Sequence, residues 1–405
     1  MQDAQFFPSL LRRANMHRLF CAALAALLAA ACAGQKPGPE PTQAPAPSEA
    51  APAPPPRLVQ VSLTALPNWD ADDPAPALTA FQTVCRRFKS KAPSAAVSPA
   101  WPELGTASAW AAVCADAAAV PATSARDFIA RRFVAYRLVA EPGLFTGYFE
   151  PEVPGSRVRG GPYQTPLYAK PDDIVTADLG AFSDKYQGDT ILGRIVKGRF
   201  VPYHDRAAVV AGALQGSGLE IVWLADPVDG FFIEIQGSGL IALAEGGTMR
   251  VGYAGKNGRA YRAIGRDLIA RGAVRREDMS MQAIRRWLAD NPREAPALMN
   301  LNQSVVFFTE RTGPGPVGAA GTPLTPMRSL AVDPAFVPLG GLVWLDVPHS
   351  NAGAPPIRRL VVAEDVGGAI KGAQRGDLFW GTGAQAGDNA GRMASQGQFY
   401  LLAPK

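Results

Sequence analysis

The chain has 405 residues, 47% of them hydrophobic, and a formal net charge of +5. At roughly 150 residues per domain, this length allows two or three domains with a sizeable core. Its basic residues are scattered, not gathered into a stripe with interleaved aromatics, which excludes a nucleic-acid binder. Four cysteines (Cys21, Cys32, Cys85, Cys114) and three histidines show no ligand spacing, so neither a metal nor another cofactor is expected.

Residues 1–32 read as a signal peptide. Arg12, Arg13, His17 and Arg18 precede an apolar run from Leu19 to Ala31. That run is shorter than the roughly 20 residues a membrane span needs and has the length of a signal core. Leu28-Ala29-Ala30-Ala31-Cys32 is similar to a lipoprotein cleavage box, which would make Cys32 the acylated first residue of the mature chain. Ordinary cleavage near Ala31, without lipid, is the alternative. Met16 competes with Met1 as the start. Residues 33–58 are dominated by Pro and Ala and form an extended linker. Ala33 follows the cysteine where an Asp would retain the protein at the inner membrane. The expected location is therefore the outer membrane, facing the periplasm. Cys85 and Cys114 are either bridged or two buried thiols.

Helices come first in the folded part. Thr79 to Phe88 has apolar residues at three- and four-residue spacing, and Ser108 to Ala119 is Ala-rich. Ser124 to Phe133 is amphipathic, capped by Ser124 or Thr123. After Glu141 short apolar runs are separated by Gly, Pro and Asp: Gly143 to Glu150, Leu219 to Leu224, Gly230 to Ile235, Ser304 to Thr309, Gly341 to Val347 and Arg358 to Ala363. Closely spaced short strands favour barrels or sandwiches. Ala260 to Arg271 and Ser280 to Asp290 interrupt them with helical periodicity. The fold class is mainly β with α additions.

The C-terminal block carries the chemistry. A strand ends at Asp365, glycines turn the chain, and an aromatic strand begins around Asp377, so two carboxylates lie at the ends of neighbouring strands. Cleaving a glycosidic bond needs a carboxylic acid to protonate the leaving oxygen. Phe379 and Trp380 beside Asp377 would desolvate it and keep it protonated, and an aromatic face also suits a sugar ring. Capping of turns by Asp365 and Asp377 is the alternative. Asp333, before Pro334, reads as a turn residue.

Val332-Asp333-Pro334, Asp365-Val366-Gly367-Gly368-Ala369-Ile370-Lys371-Gly372 and Asp377-Leu378-Phe379-Trp380-Gly381 together resemble the "3D" module, named for its three aspartates. Phe145-Thr146-Gly147-Tyr148-Phe149-Glu150-Pro151, Phe232 to Gly239, Gly252 to Tyr261 and Asn302 to Phe308 are similar to signatures of the membrane-bound lytic murein transglycosylase A family. The resemblance implies a double-psi β-barrel domain from 59–150 plus 311–405, with the 3D module at about 325–405. A second, smaller β-barrel would be inserted over 151–310, with a groove between the two. It implies a peptidoglycan lytic exotransglycosylase in which Asp377 is the catalytic acid and Asp365 supports it. Asp229 matches a groove-facing acid, with Asp226 as competitor. Tyr148, Gln236, Ser238, Gly239, Tyr253, Lys256, Asn257, Lys371 and Trp380 would line the groove, Lys371 also tuning Asp377. The partners implied are a peptidoglycan glycan strand, the membrane through a lipid anchor and cell-wall synthesis proteins, for a monomeric enzyme. A two-carboxylate hydrolase and a wall-binding lipoprotein without activity are the competing readings.

Overall fold

The structure, a computed structural model, describes residues 55–351 and 353–405. The signal, cleavage-box, Cys32 and most of the linker readings lie outside these residues. Strand β1 (Arg57–Val61) is followed by helices α1 (Ala75–Val84), α2 (Ala107–Ala117) and α3 (Ala125–Arg132), then β2 (Phe133–Val139) and β3 (Gly143–Glu150). Next come β4 (Glu152–Ser156), β5 (Thr165–Tyr168), β6 (Val175–Asp178), β7 (Thr190–Val196), β8 (Arg199–Pro202), α4 (Arg206–Val210), β9 (Glu220–Leu224) and α5 (Pro227–Gln236). The same segment continues through β10 (Ser238–Leu243), β11 (Thr248–Lys256), α6 (Gly265–Ala270), α7 (Met281–Asp290), α8 (Ala295–Asn300) and β12 (Val306–Arg311). The chain closes with β13 (Ser329–Val332), β14 (Leu342–Val347), β15 (Ile357–Asp365), β16 (Arg375–Thr382), α9 (Ala384–Arg392) and β17 (Ala394–Pro404).

Strands β17, β14, β15, β13, β16 and β3 are hydrogen-bonded in that order, and β3 pairs back onto β17. The ring is closed, so its strands leave no open edge. The ring mixes two parallel pairs (β13 with β15, β16 with β3) with four antiparallel ones, in keeping with a double-psi barrel. Strands β2 and β1 extend the sheet outward from β17. The interior is apolar. Phe145, Leu330, Val343, Leu345, Leu378 and Phe399 are fully buried there, and α1, α2 and α3 cover one side through Phe81, Trp110 and Phe128.

The second sheet runs β12-β11-β10-β4-β9-β5. A bridge between Ala169, just past β5, and Phe308 of β12 brings its two ends together. Its core is Val153, Leu167, Val222, Leu224, Ile241 and Val251. This barrel is let into the chain between β3 and β13. A separate meander, β6-β7-β8, projects from it.

Three local expectations change. Gly230 to Ile235 is helical, within α5. Asp226 caps that helix by accepting a bond from Val228 N, Pro227 follows at its first position, and Gly237 ends it at φ +78°. These start and stop signals outweigh a short apolar run buried by neighbours on several sides. The helix expected from Ala260 is limited to α6, and 260–263 are irregular. Ser124 precedes α3 but makes no side-chain cap bond. Cys85 and Cys114 are joined by a disulfide, which resolves the open alternative. Among the described residues no helix is long and apolar enough to cross a membrane.

Candidate active site

Strand β13 lies between β15 and β16, so the two carboxylates are not on adjacent strands as expected. Asp365 and Asp377 instead flank one residue, since each is the register partner of Ala331. Two strand spacings put their backbones roughly 10 Å apart. On β15, Ala363 pairs with Leu330 and Asp365 with Ala331, which leaves Glu364 as the extra residue of a bulge. A bulge re-aims neighbouring side chains. Glu364 is accordingly buried in the barrel, whereas Asp365 keeps an exposed edge.

Asp377 lies opposite Thr146 of β3, and Phe379 opposite Tyr148. By the two-residue period of a strand these four share one face. Thr146 Oγ1 donates to Asp377 Oδ1 at 2.6 Å. Asp377 keeps some exposed surface while sitting deep among protein atoms. Burial raises its pKa from 3.8 to about 6, against the opposing effects of the Thr146 hydroxyl and the Arg375 charge and with a contribution from Asp365. At neutral pH a useful fraction of this carboxyl therefore still carries its proton.

Asp365 is differently placed. Its Oδ1 accepts from the backbone of Ala319 and Val366, both at 2.9 Å, and its Oδ2 accepts from Tyr148 Oη at 3.0 Å. Burial pushes its pKa up while those three donors hold it down. The Tyr148 ring packs on Phe379, with centroids 5.2 Å apart. Tyr148 thus links the two aspartates. Its own hydroxyl is pushed well above 10.0 by burial and then by both carboxylates. Asp333 holds the loop between β15 and β16. Its Oδ1 accepts from Ala335 N and its Oδ2 from Gly372 N at 2.8 Å.

The segment after β11 comes close to the loop that follows Asp365. Tyr261 borders Gly368, and burial followed by the charge of Asp377 raises its pKa. The two barrels are tied together at the end of β3. Glu150 is fully buried and pairs with Arg250 of β11 at 2.7 Å, and Thr382 also donates to it. Gln236 accepts from Phe149 N at 3.1 Å, so its side chain braces the junction.

Several expected groove residues have other roles. Asn257 is fully buried, and both its ends are used. Its Nδ2 donates to His204 O and Gln303 O, and its Oδ1 accepts from Arg259 N and Val305 N. It has no group to offer a sugar. Trp380 is on the opposite strand face from Asp377. It covers Gly147, where any Cβ would meet the indole at 2.5 Å, and it meets His349 edge-on. Lys371 is exposed, and the cation acting on Asp377 is Arg375. Asp229, in the first turn of α5, is taken up by Arg285 at 2.7 Å, and no hydrogen bond among the described residues joins it to Asp365 or Asp377. Gly239 is buried against Ile233, while Ser238, Tyr253 and Lys256 remain accessible on β10 and β11.

Sequence reasoning missed Thr146, Arg375, Tyr261 and Glu364. The first two were findable, because each stands two residues before a recognised site residue on its strand. Tyr261 carried no such signal. Glu364 is a buried carboxyl held by Ser329 (2.5 Å) and Thr322 (3.0 Å), with its pKa raised by burial to about 7. A raised folded value means its stabilising contribution is complete below about pH 4.5 and is lost as pH climbs through about 7. Glu364→Gln should therefore be more stable than wild type at pH 8, on the order of 2–3 kcal/mol. Near pH 4.5 the two should unfold alike. Urea titrations at both pH values test this, and equal stability at pH 8 would refute it.

A closed mixed barrel, a second barrel let into it and an aspartate pair astride one strand define a two-barrel protein of the 3D class. Known proteins place it more finely. The MltA specific insert domain matches residues 144–309 and the 3D domain residues 328–403. Membrane-bound lytic murein transglycosylase A of Escherichia coli K12 is 35% identical over 264 residues, 64% of this chain and 65% of that protein. The Vibrio cholerae protein of the same name is 35% identical over 266 residues, with the same shares. The chain thus spans 65% of the length of these curated relatives. The membrane-bound lytic murein transglycosylase structure from Agrobacterium tumefaciens superposes with a TM-score of 0.77 at 32% identity, over 86% of this chain and 97% of that one. E. coli MltA with bound chitohexaose gives 0.62 at 29% identity, over 86% and 93%. The chain belongs to the membrane-bound lytic murein transglycosylase A family.

Proposed function

We propose that this protein is a lytic transglycosylase that cleaves the β-1,4 bond between N-acetylmuramic acid and N-acetylglucosamine in peptidoglycan. The observation that carries the reading is a carboxyl, Asp377, that accepts from Thr146 and has its pKa raised by burial to about 6, beside an Asp365 that already accepts three donors. Asp377 donates its proton to the glycosidic oxygen, and an oxocarbenium-like centre forms at the muramic anomeric carbon. The same carboxylate then takes the proton of that sugar's C6 hydroxyl, which closes on the anomeric carbon as a 1,6-anhydro end. The internal hydroxyl has a proximity advantage over any water. Asp365 orients Tyr148 by accepting its hydroxyl.

A two-carboxylate hydrolase needs a second group free to activate water. Asp365 accepts three donors and is poorly suited to that role. The relatives' names and the glycan oligomer bound in an E. coli relative support the substrate class. Ser238, Tyr253 and Lys256 serve as glycan contacts, and the two barrels form the domains, divided near Pro151 and Arg311. The protein sits in the periplasm on an outer-membrane lipid anchor at Cys32. The relatives' membrane-bound names and the Cys85–Cys114 disulfide, which suits an oxidising compartment, support this placement.

Digestion of purified sacculi with mass analysis tests the reaction. The expected products end in anhydromuramic acid, lighter by one water than hydrolysis products. Products bearing only free reducing ends would overturn it.

A further inference from the structure

We infer that Arg375 and Thr146 form a donor chain that confines the working proton of Asp377 to its Oδ2, making both of them positioning residues. This rests on the transglycosylase reading above. In a free carboxylic acid either oxygen can carry the proton. Here the two oxygens are not equivalent, because Thr146 Oγ1 lies 2.6 Å from Oδ1.

A hydroxyl has one proton, and its direction depends on its other partner. For Thr146 that partner is Arg375 Nη2, at 2.9 Å. A guanidinium has donors and no acceptor, so Arg375 must donate to Thr146 Oγ1. The threonine proton is thereby directed to Asp377 Oδ1. Oδ1 accepts that hydrogen more strongly as the carbonyl oxygen than as the hydroxyl oxygen, so the acid proton sits on Oδ2.

The arginine is itself held in place. Its Nη1 donates to Leu144 O at 3.1 Å and to Gly376 O at 2.5 Å. The parallel register of β16 and β3 sets Arg375 opposite Leu144 and Asp377 opposite Thr146, which fixes the whole chain on two adjacent strands. Among the described residues Arg375 forms no ion pair with a carboxylate. Its charge therefore reaches Asp377 through the threonine and through space.

Both proton transfers then use one oxygen. Oδ2 gives its proton to the glycosidic oxygen as the bond to the anomeric carbon breaks and its electron pair goes to the leaving oxygen. Oδ2 next accepts the C6 hydroxyl proton as O6 bonds that carbon. Asp377 ends neutral, and nothing else is consumed. Thr146 donates to Oδ1 throughout, most strongly while the carboxylate is charged, between the two transfers.

The test uses Thr146→Val, Thr146→Ser and Arg375→Gln on purified glycan strands, with wild type alongside and melting checked for each. Thr146→Val should lower kcat about 10- to 100-fold, with KM within about threefold. Losing the donor destabilises the carboxylate, so the alkaline limb of kcat/KM should move up by about 0.5–1 pH unit. Thr146→Ser should return that limb to its wild-type position. Arg375→Gln should cost clearly less in a Thr146→Val background than in wild type, because part of its action passes through the hydroxyl. An unmoved limb in Thr146→Val, or equal costs of Arg375→Gln in both backgrounds, would overturn the inference. Failure of the underlying reading would show separately, as wild-type enzyme releasing no anhydro products.

Discussion

Asp377→Asn should abolish glycan cleavage, with kcat falling about 10³-fold or more, while the folded protein becomes more stable. The first effect follows from the proposed role of Asp377 as acid and then base. The second follows from its pKa, which burial raises to about 6. A carboxyl raised in the folded state contributes fully below about pH 4 and loses that contribution as pH rises through about 6. Asparagine cannot ionise and avoids this loss, and its amide oxygen can still accept from Thr146. At pH 7.5 the variant should gain on the order of 2 kcal/mol, the partial exposure of the side chain having been discounted. Near pH 4 the gain should vanish. Muropeptide release and urea titrations on one preparation read both effects. A variant that is inactive and unstable has merely lost its fold; one that retains the wild-type rate removes Asp377 from the mechanism. In wild type the same pKa predicts that kcat/KM declines as pH rises above about 6.

Replacing both Cys85 and Cys114 by Ala should cost about 3–4 kcal/mol of stability. The bond closes a loop across a sequence separation of 29 and joins the end of α1 to α2. Most of its effect lies in restricting the unfolded chain, and that restriction grows with the logarithm of loop length. Both cysteines are buried, and the packed Phe88–Trp110 pair (centroids 4.8 Å apart) belongs to the same core layer. Urea midpoints with and without reductant give the measurement. If wild type unfolds at the same denaturant concentration when reduced, the bond contributes nothing. Because this layer lies behind the barrel, the site residues themselves should be little affected. Activity at temperatures well below the melting point should survive in the variant.

The strands of the catalytic barrel were legible because apolar alternation survives in each. Gly143 to Glu150, Gly341 to Val347 and Arg358 to Ala363 all form where the pattern places them. Gly230 to Ile235 was misread because its apolar residues are buried on several sides, as Phe231, Phe232 and Ile233 show. A run with no polar face carries no period, and only the Asp226, Pro227 and Gly237 signals around it declare a helix. Asn257 and Trp380 were misplaced for a related reason. Residue type indicates what a side chain can bind, not which partners reach it first. Backbone groups of His204, Arg259, Gln303 and Val305 fill Asn257, and Gly147 receives the Trp380 ring.

The sequence by itself determined the family and the mainly β character, since both depend on residue types at short, ordered spacings. Tertiary structure alone decided how the two aspartates differ. They are 12 residues apart in the chain, yet much of what distinguishes them comes from Thr146 and Tyr148 of β3 and from Ala319, all distant in sequence. Thr146 and Arg375 attend Asp377, while Tyr148 and two backbone amides occupy Asp365. Burial and hydrogen bonding, which set proton affinity, are properties of neighbours in space, and no local pattern in the chain records them.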